Sequence, residues 1–376
     1  MTVKKILLFY ISVNSGHQMA ALAIEDSIRM LNQRADTLNI NHFHYTNPVL
    51  AQIIMKTYHG MLKRTPELWE YVYDNDRVRN RTAKFRDLIH KLDSKKLQRL
   101  IEWYQPDIIV CTQAFPCVSI AEYKRQCQKD IPVVGVVTDY GIHSYWVDPD
   151  VDLYVVPNIA SQERLKGLGV EKNRIEVKGI PVSPRFSFPQ DKKKLRYKFG
   201  ITNKGSVVLV MGGSRGMISM DEIVKYLVKL PLPIHLLVVC GANRQLYKRM
   251  QTIKKRLKAR MNIYGFVNNI EELMSVADVL VTKPGGLTIT ESLVKRLPMV
   301  IINPIAGQEA KNSSYLIKNK TALLAADARD VARRVGDLAG SSEALEKVRN
   351  NISAIMKPNA AREIADRIIN WDNGSN

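Results

Sequence analysis

A chain of 376 residues, at roughly 150 residues per domain, has room for two or three domains that each bury a core. Hydrophobic residues make up 45% and charged residues 24%, close to the globular average, which excludes disordered, collagen-like and disulfide-scaffold classes. Lys and Arg outnumber Asp and Glu by 56 to 36, a net charge of +20, and such an excess favours a polyanionic partner: nucleic acid, an anionic membrane surface or a phosphorylated substrate.

Lys4 and Lys5 precede an apolar run over 6–13, which is too short for a leader and lacks a small-residue cleavage site, so it reads as a buried first strand. Further apolar runs follow over 107–112, 132–138, 153–156, 207–211, 234–240, 279–282 and 299–302, with helical periodicity between them, as over 20–31 and 219–229. Continuous apolar strands interleaved with helices predict parallel sheets covered on both faces, an α/β fold. The pattern begins twice, because 207–216 repeats the strand, glycine turn and helix of 6–16. Two doubly wound domains follow, with a linker near 183–190 marked by Pro181, Pro184, Pro189 and the charged stretch 191–198. Ligands of such sheets bind beyond the carboxyl ends of the strands, so the chemistry is expected in a cleft where the two sheets face one another. No apolar run reaches the 18 residues that would suggest a membrane span. Cys111, Cys117, Cys127 and Cys240 form no Cys-x-x-Cys pair and no zinc spacing, which fits a reducing compartment.

The second glycine turn, Gly212-Gly213-Ser214-Arg215-Gly216, lets a backbone approach a diphosphate and opens into a helix N-terminus, although a tight strand-to-helix turn needs glycine in any case. It matches neither the dinucleotide fingerprint nor the P-loop. A denser segment runs from Gly265-Phe266-Val267, through Lys283-Pro284-Gly285-Gly286-Leu287-Thr288 and Glu291, to Gln308-Glu309 and Asn312. Here a strand opens into glycines whose N–H groups, with the next helix N-terminus, suit an anion. Glu291, about one helical turn on, suits two ribose hydroxyls or is a solvated helix charge. In the first half Ser15-Gly16-His17 starts a helix directly after a strand, and Thr138-Asp139-Tyr140, followed by His143 and Trp146, ends another strand. A histidine and a carboxylate at strand carboxyl ends are placed for catalysis.

Together these motifs resemble glycosyltransferase family 28, most of all its monogalactosyldiacylglycerol synthases and processive diacylglycerol glucosyltransferases. The resemblance covers most of the chain and implies a GT-B fold: an acceptor domain over 1–185, a UDP-sugar domain over 186–357, and a C-terminal helix, opened by Pro358 within 358–376, returning to the first domain. It implies that Phe266 and Val267 present backbone groups to uracil, that Gly285, Gly286, Leu287 and Thr288, with Pro284, Gly212, Gly213 and Ser214 alongside, hold the diphosphate, and that Glu291 holds the ribose. Gln308, Glu309 and Asn312 would bind sugar hydroxyls, or cap a helix. Gly16 and His17 would lie beside the reaction centre, with His143 and Trp146 near the acceptor. His17 or Asp139 would be the general base, Asp139 otherwise orienting His17. Asn14 stands where the family has a glycine.

The implied activity is inverting transfer of galactose or glucose from a UDP-sugar to diacylglycerol or a glycolipid. A UDP-sugar epimerase of the same fold and a catalytically impaired nucleotide-sugar-binding membrane protein are the alternatives. No cofactor is implied, and no metal: Asp148-Pro149-Asp150-Val151-Asp152 reads as a loop before a strand. The stretch 77–99 has nine Lys or Arg against two acids, next to apolar and aromatic residues over 49–73, the combination of an interfacial anchor on an anionic membrane. A second cluster over 244–260 has eight Lys or Arg and no acid, but no nucleic-acid motif accompanies it. The expectation is a cytoplasmic enzyme held peripherally at a membrane.

Overall fold

The computed structural model describes residues 3–13, 15–48, 95–202, 204–213, 218–302, 304 and 307–371. Asn14, Ser214, Arg215, Gly216 and the proposed anchor, apart from residues 95–99, lie outside them. The chain forms two compact units: residues 1–184 with 305–308 and 359–376, and residues 185–304 with 309–358.

The first unit holds a parallel six-stranded sheet of order β2-β1-β3-β4-β5-β6. Its strands are β1 Lys5–Tyr10, β2 Asp36–Asn41, β3 Ile108–Cys111, β4 Val133–Val136, β5 Leu153–Val156 and β6 Ile175–Val177. Ile6, Leu7, Leu8 and Phe9 of β1 are wholly buried, because β1 pairs on both edges, Leu8 opposite Asn39 and Val110, and is covered on both faces. The helix Ala360–Ile369 completes this unit, setting Ile364, Ala365 and Ile368 against Ile6, Leu8, Ile24 and Ile28. Arg367 pairs with Glu176 at 2.9 Å.

The second unit repeats the plan with strands β7 Ser206–Met211, β8 Ile234–Val239, β9 Met261–Tyr264, β10 Val279–Thr282, β11 Met299–Ile301 and β12 Ala322–Leu324. Their order is β12-β11-β10-β7-β8-β9, all parallel. In each sheet the first strand in sequence has neighbours that lead the chain in opposite directions. The order therefore reverses between β1 and β3 in one unit and between β7 and β10 in the other, and crevices for ligands open at such switch points.

The acidic run before β5 is consumed by ion pairs to the helix Ala114–Gln126. Asp148 and Asp150 meet Arg125 at 3.2 and 3.1 Å, and Asp152 meets Lys124 at 2.7 Å. The basic stretch over 244–260 is mainly the helix Arg244–Leu257, which buries Leu246 and Met250 and turns its cations outward. No helix among the described residues is long and apolar enough to cross a membrane.

Candidate active site

In the first unit the switch point is occupied by His17. The helix Gly16–Leu31 starts where β1 ends, capped by the Ser15 hydroxyl, which accepts from the Gln18 N–H at 3.3 Å. His17 is thereby held at the carboxyl end of the sheet, with Gly16 exposed beside it. Its Nδ1 lies 3.0 Å from the Thr112 carbonyl and 2.9 Å from the Thr138 hydroxyl, which follow β3 and β4. A carbonyl only accepts, so Nδ1 carries the proton and Nε2 keeps its lone pair. The Thr112 hydroxyl donates back to the His17 carbonyl at 2.8 Å. Burial is the main influence on the ring and pushes its pKa down to about 4, the Thr112 hydrogen bond opposing this only in part. The imidazole is therefore neutral near pH 7, in the tautomer a general base needs.

Thr112 and Thr138 hold Nδ1, and Asp139 stands half-buried one residue beyond Thr138. His143 is buried at the start of a short 3-10 turn, its ring 6.4 Å from that of Trp146. Trp146 ends the same short turn. Its indole is 4% exposed and sits in the first unit's core, where a Cβ on Gly135 would come within 3.4 Å of it. It packs the wall of the sheet.

In the second unit the switch point gathers the glycine turns that follow β7 and β10. Gly213 has φ +74°, a left-handed conformation open to glycine without cost. Gly285 caps the helix Gly286–Val294 with no side chain, so the first N–H groups of Gly286, Leu287 and Thr288 are left for another acceptor, with the positive end of the helix dipole behind them. Pro284 is buried beneath this turn, and its carbonyl accepts from Asn312 Nδ2 at 3.0 Å. Asn312 is wholly buried and holds the turn through this bond. Glu309, in the first turn of the helix Gln308–Lys318, is ion-paired with Lys283. Gln308 stands half-buried at the start of the same helix.

Glu291 lies in the second turn of the helix Gly286–Val294. Burial, with the nearby Glu271 carboxylate adding to it, pushes its pKa up to about 8. The carboxyl is therefore held mostly protonated near pH 7. Phe266 is 59% exposed just beyond β9, with Val267 half-buried next to it, and both can offer backbone groups to a ligand. Among the described residues no group of three His, Cys, Asp or Glu is arranged to hold a metal ion.

Three residues of this geometry were not singled out from the sequence. Thr112 is a threonine ending an apolar strand, Thr138 drew notice only as the neighbour of Asp139, and Lys283 passes for a surface charge until its pairing with Glu309 is seen. The signal available for the threonines was their position, a polar residue at the carboxyl end of a buried strand.

Residues 17–182 match the family Monogalactosyldiacylglycerol (MGDG) synthase, and residues 207–368 match the Glycosyltransferase family 28 C-terminal domain. A curated relative, the processive diacylglycerol beta-glucosyltransferase of Bacillus licheniformis, is 28% identical over 370 residues, covering 98% of this chain and 95% of its own. Among solved structures, Acinetobacter baumannii MurG superposes with a TM-score of 0.64 at 14% identity, over 98% of this chain and 100% of that one. The UDP-GlcNAc 2-epimerase of Neisseria meningitidis gives 0.63 at 14% identity over 98% and 100%. At such identities these two establish the GT-B fold and nothing further.

Proposed function

We propose that the chain, whose residues 17–182 and 207–368 match these two family models, acts as a family 28 glycosyltransferase and moves a hexose, glucose or galactose, from a UDP-sugar to the hydroxyl of diacylglycerol or a glycolipid, with inversion at the anomeric carbon. The observation that carries this reading is His17, a neutral imidazole held by Thr112 and Thr138 with Nε2 free to take a proton. Relatives named for diacylglycerol glucosyl transfer over nearly their whole length support the acceptor.

In this mechanism Nε2 of His17 removes the proton of the acceptor hydroxyl as its oxygen attacks the anomeric carbon. The bond from that carbon to the diphosphate breaks, and the electron pair leaves with UDP. Backbone N–H groups of Gly286, Leu287 and Thr288 meet the charge that develops on the leaving oxygens. Glu291 accepts the ribose hydroxyls, Phe266 and Val267 flank uracil, and Gln308 with Glu309 contacts the sugar. Asp139 remains a second carboxylate near the acceptor. No metal and no cofactor enters the reaction. The basic and aromatic stretch over 49–99 supports a peripheral membrane attachment through anionic lipid.

Replacing His17 and Glu291 separately tests the assignment. His17→Ala is expected to lower kcat by about 10²- to 10⁴-fold, the usual worth of a general base, with UDP affinity little changed. Glu291→Ala is expected to weaken UDP binding first. Equal losses of both quantities in His17→Ala, or unaltered donor affinity in Glu291→Ala, would remove these roles.

A further inference from the structure

Lys283 lies at the switch point of the second unit, directly after β10. Its ammonium is ion-paired with Glu309, and the two side chains are only 18% and 12% exposed. Its stem passes so close to the turn after β7 that a Cβ on Gly213 would stand 3.2 Å from Cε, and a Cβ on Gly285 would stand 4.0 Å from Nζ. One cation is thus enclosed by both glycine turns and lies two residues from the N-cap of the helix Gly286–Val294. Glycine at 213 leaves the lysine and the backbone side by side, where a larger residue would crowd the stem, while the contact at 285 is an ordinary one.

A half-enclosed ammonium must keep a counter-charge, since removing one partner of such a pair leaves the other uncompensated. The proposed donor brings a diphosphate to these turns, and its oxygens outcompete a single carboxylate in charge and in number of acceptors. We propose that Lys283 is the counter-ion of the donor diphosphate and that Glu309 holds its place. When the donor arrives, Nζ passes from the Glu309 carboxylate to the β-phosphate oxygens, and the freed carboxylate accepts from a hydroxyl of the sugar. Lys283 keeps a counter-charge throughout, Glu309 exchanges its ion pair for a hydrogen bond from the sugar, and that sugar contact forms only once the diphosphate is in place. The inference rests on the reading that the second unit binds a UDP-sugar.

The test is isothermal titration of the full-length protein with uridine, UMP, UDP and UDP-glucose. Wild-type protein should bind UDP more tightly than uridine. Lys283→Gln should reduce the ratio of UDP to uridine affinity by about ten- to a hundred-fold, the worth of a hydrogen bond to a charged group, with uridine affinity unchanged. Lys283→Arg should preserve the ratio, which guards against a variant that has merely lost its fold. Glu309→Gln should bind UDP at least as tightly as wild type but lose preference for UDP-glucose over UDP. An unaltered ratio in Lys283→Gln overturns the role of Lys283 while the UDP-sugar reading stands. UDP weakened as much in Glu309→Gln as in Lys283→Gln overturns the exchange. Wild-type protein that binds none of the four overturns the UDP-sugar reading, and this inference with it.

Discussion

His17 and Glu291 are displaced from their ordinary pKa values for the same physical reason: each is enclosed, and enclosure penalises whichever form is charged. The imidazole goes down to about 4 and the carboxyl up to about 8, so both are neutral near pH 7. Folding prefers neutral His17, and that stabilisation is complete above 6.5 and lost as pH falls toward 4. It prefers protonated Glu291, a stabilisation complete below 4.5 and lost as pH rises through 8. Accepting two ribose hydroxyls requires the carboxylate, so donor capture should improve as pH rises toward 8. The pH profile of kcat/KM should therefore show a rising limb near pH 8 that disappears in Glu291→Gln, and a base limb near pH 4. A limb near 6.5 that persists in Glu291→Gln would mean that His17 titrates as an ordinary histidine.

At the scale of elements, the eight apolar runs read from the sequence all correspond to interior strands, and the four strands missed, β2, β6, β9 and β12, are the four sheet edges. An edge strand pairs on one side only and needs no continuous apolar run; β2, Asp-Thr-Leu-Asn-Ile-Asn, is half-buried throughout most of its length. The glycine turns and the helix starts were legible because strand-to-helix transitions constrain local residue types. The burial of Asn312 and Trp146 was not legible, because a polar or aromatic residue beside a motif reads alike whether it packs inward or faces a ligand, and only packing shows that each is buried. Lys283 was overlooked because its partner is 26 residues further along the chain. The bond from Asn312 to Pro284 makes a prediction at this scale. Asn312→Ala leaves a buried carbonyl unpaired, which should cost about 1–3 kcal/mol of stability, and it should loosen the turn enough to weaken UDP binding. Thermal unfolding and titration of the same variant check both effects, and unchanged UDP affinity would separate Asn312 from the phosphate turn.

At the scale of the molecule, the first unit is closed by a helix from the far end of the chain. All four tryptophans, at 69, 103, 146 and 371, belong to that unit's stretches of sequence, so tryptophan fluorescence follows its unfolding selectively. Ile364, wholly buried against the β1 face, should cost about 2–5 kcal/mol when replaced by Ala and should shift the fluorescence midpoint. An unmoved midpoint would show that the C-terminal helix does not stabilise the first unit. The proposed reaction needs both units, with proton removal in the first and nucleotide binding in the second. It is tested most directly by incubating purified protein with diacylglycerol in anionic-lipid vesicles, supplying UDP-glucose or UDP-galactose, and following UDP and lipid product together by mass spectrometry. Hexosyl-diacylglycerol formed in step with UDP is the predicted result, and the productive donor identifies the sugar. UDP binding without any glycosylated lipid from either donor would contradict the account and point to another acceptor, an epimerase or a binding protein.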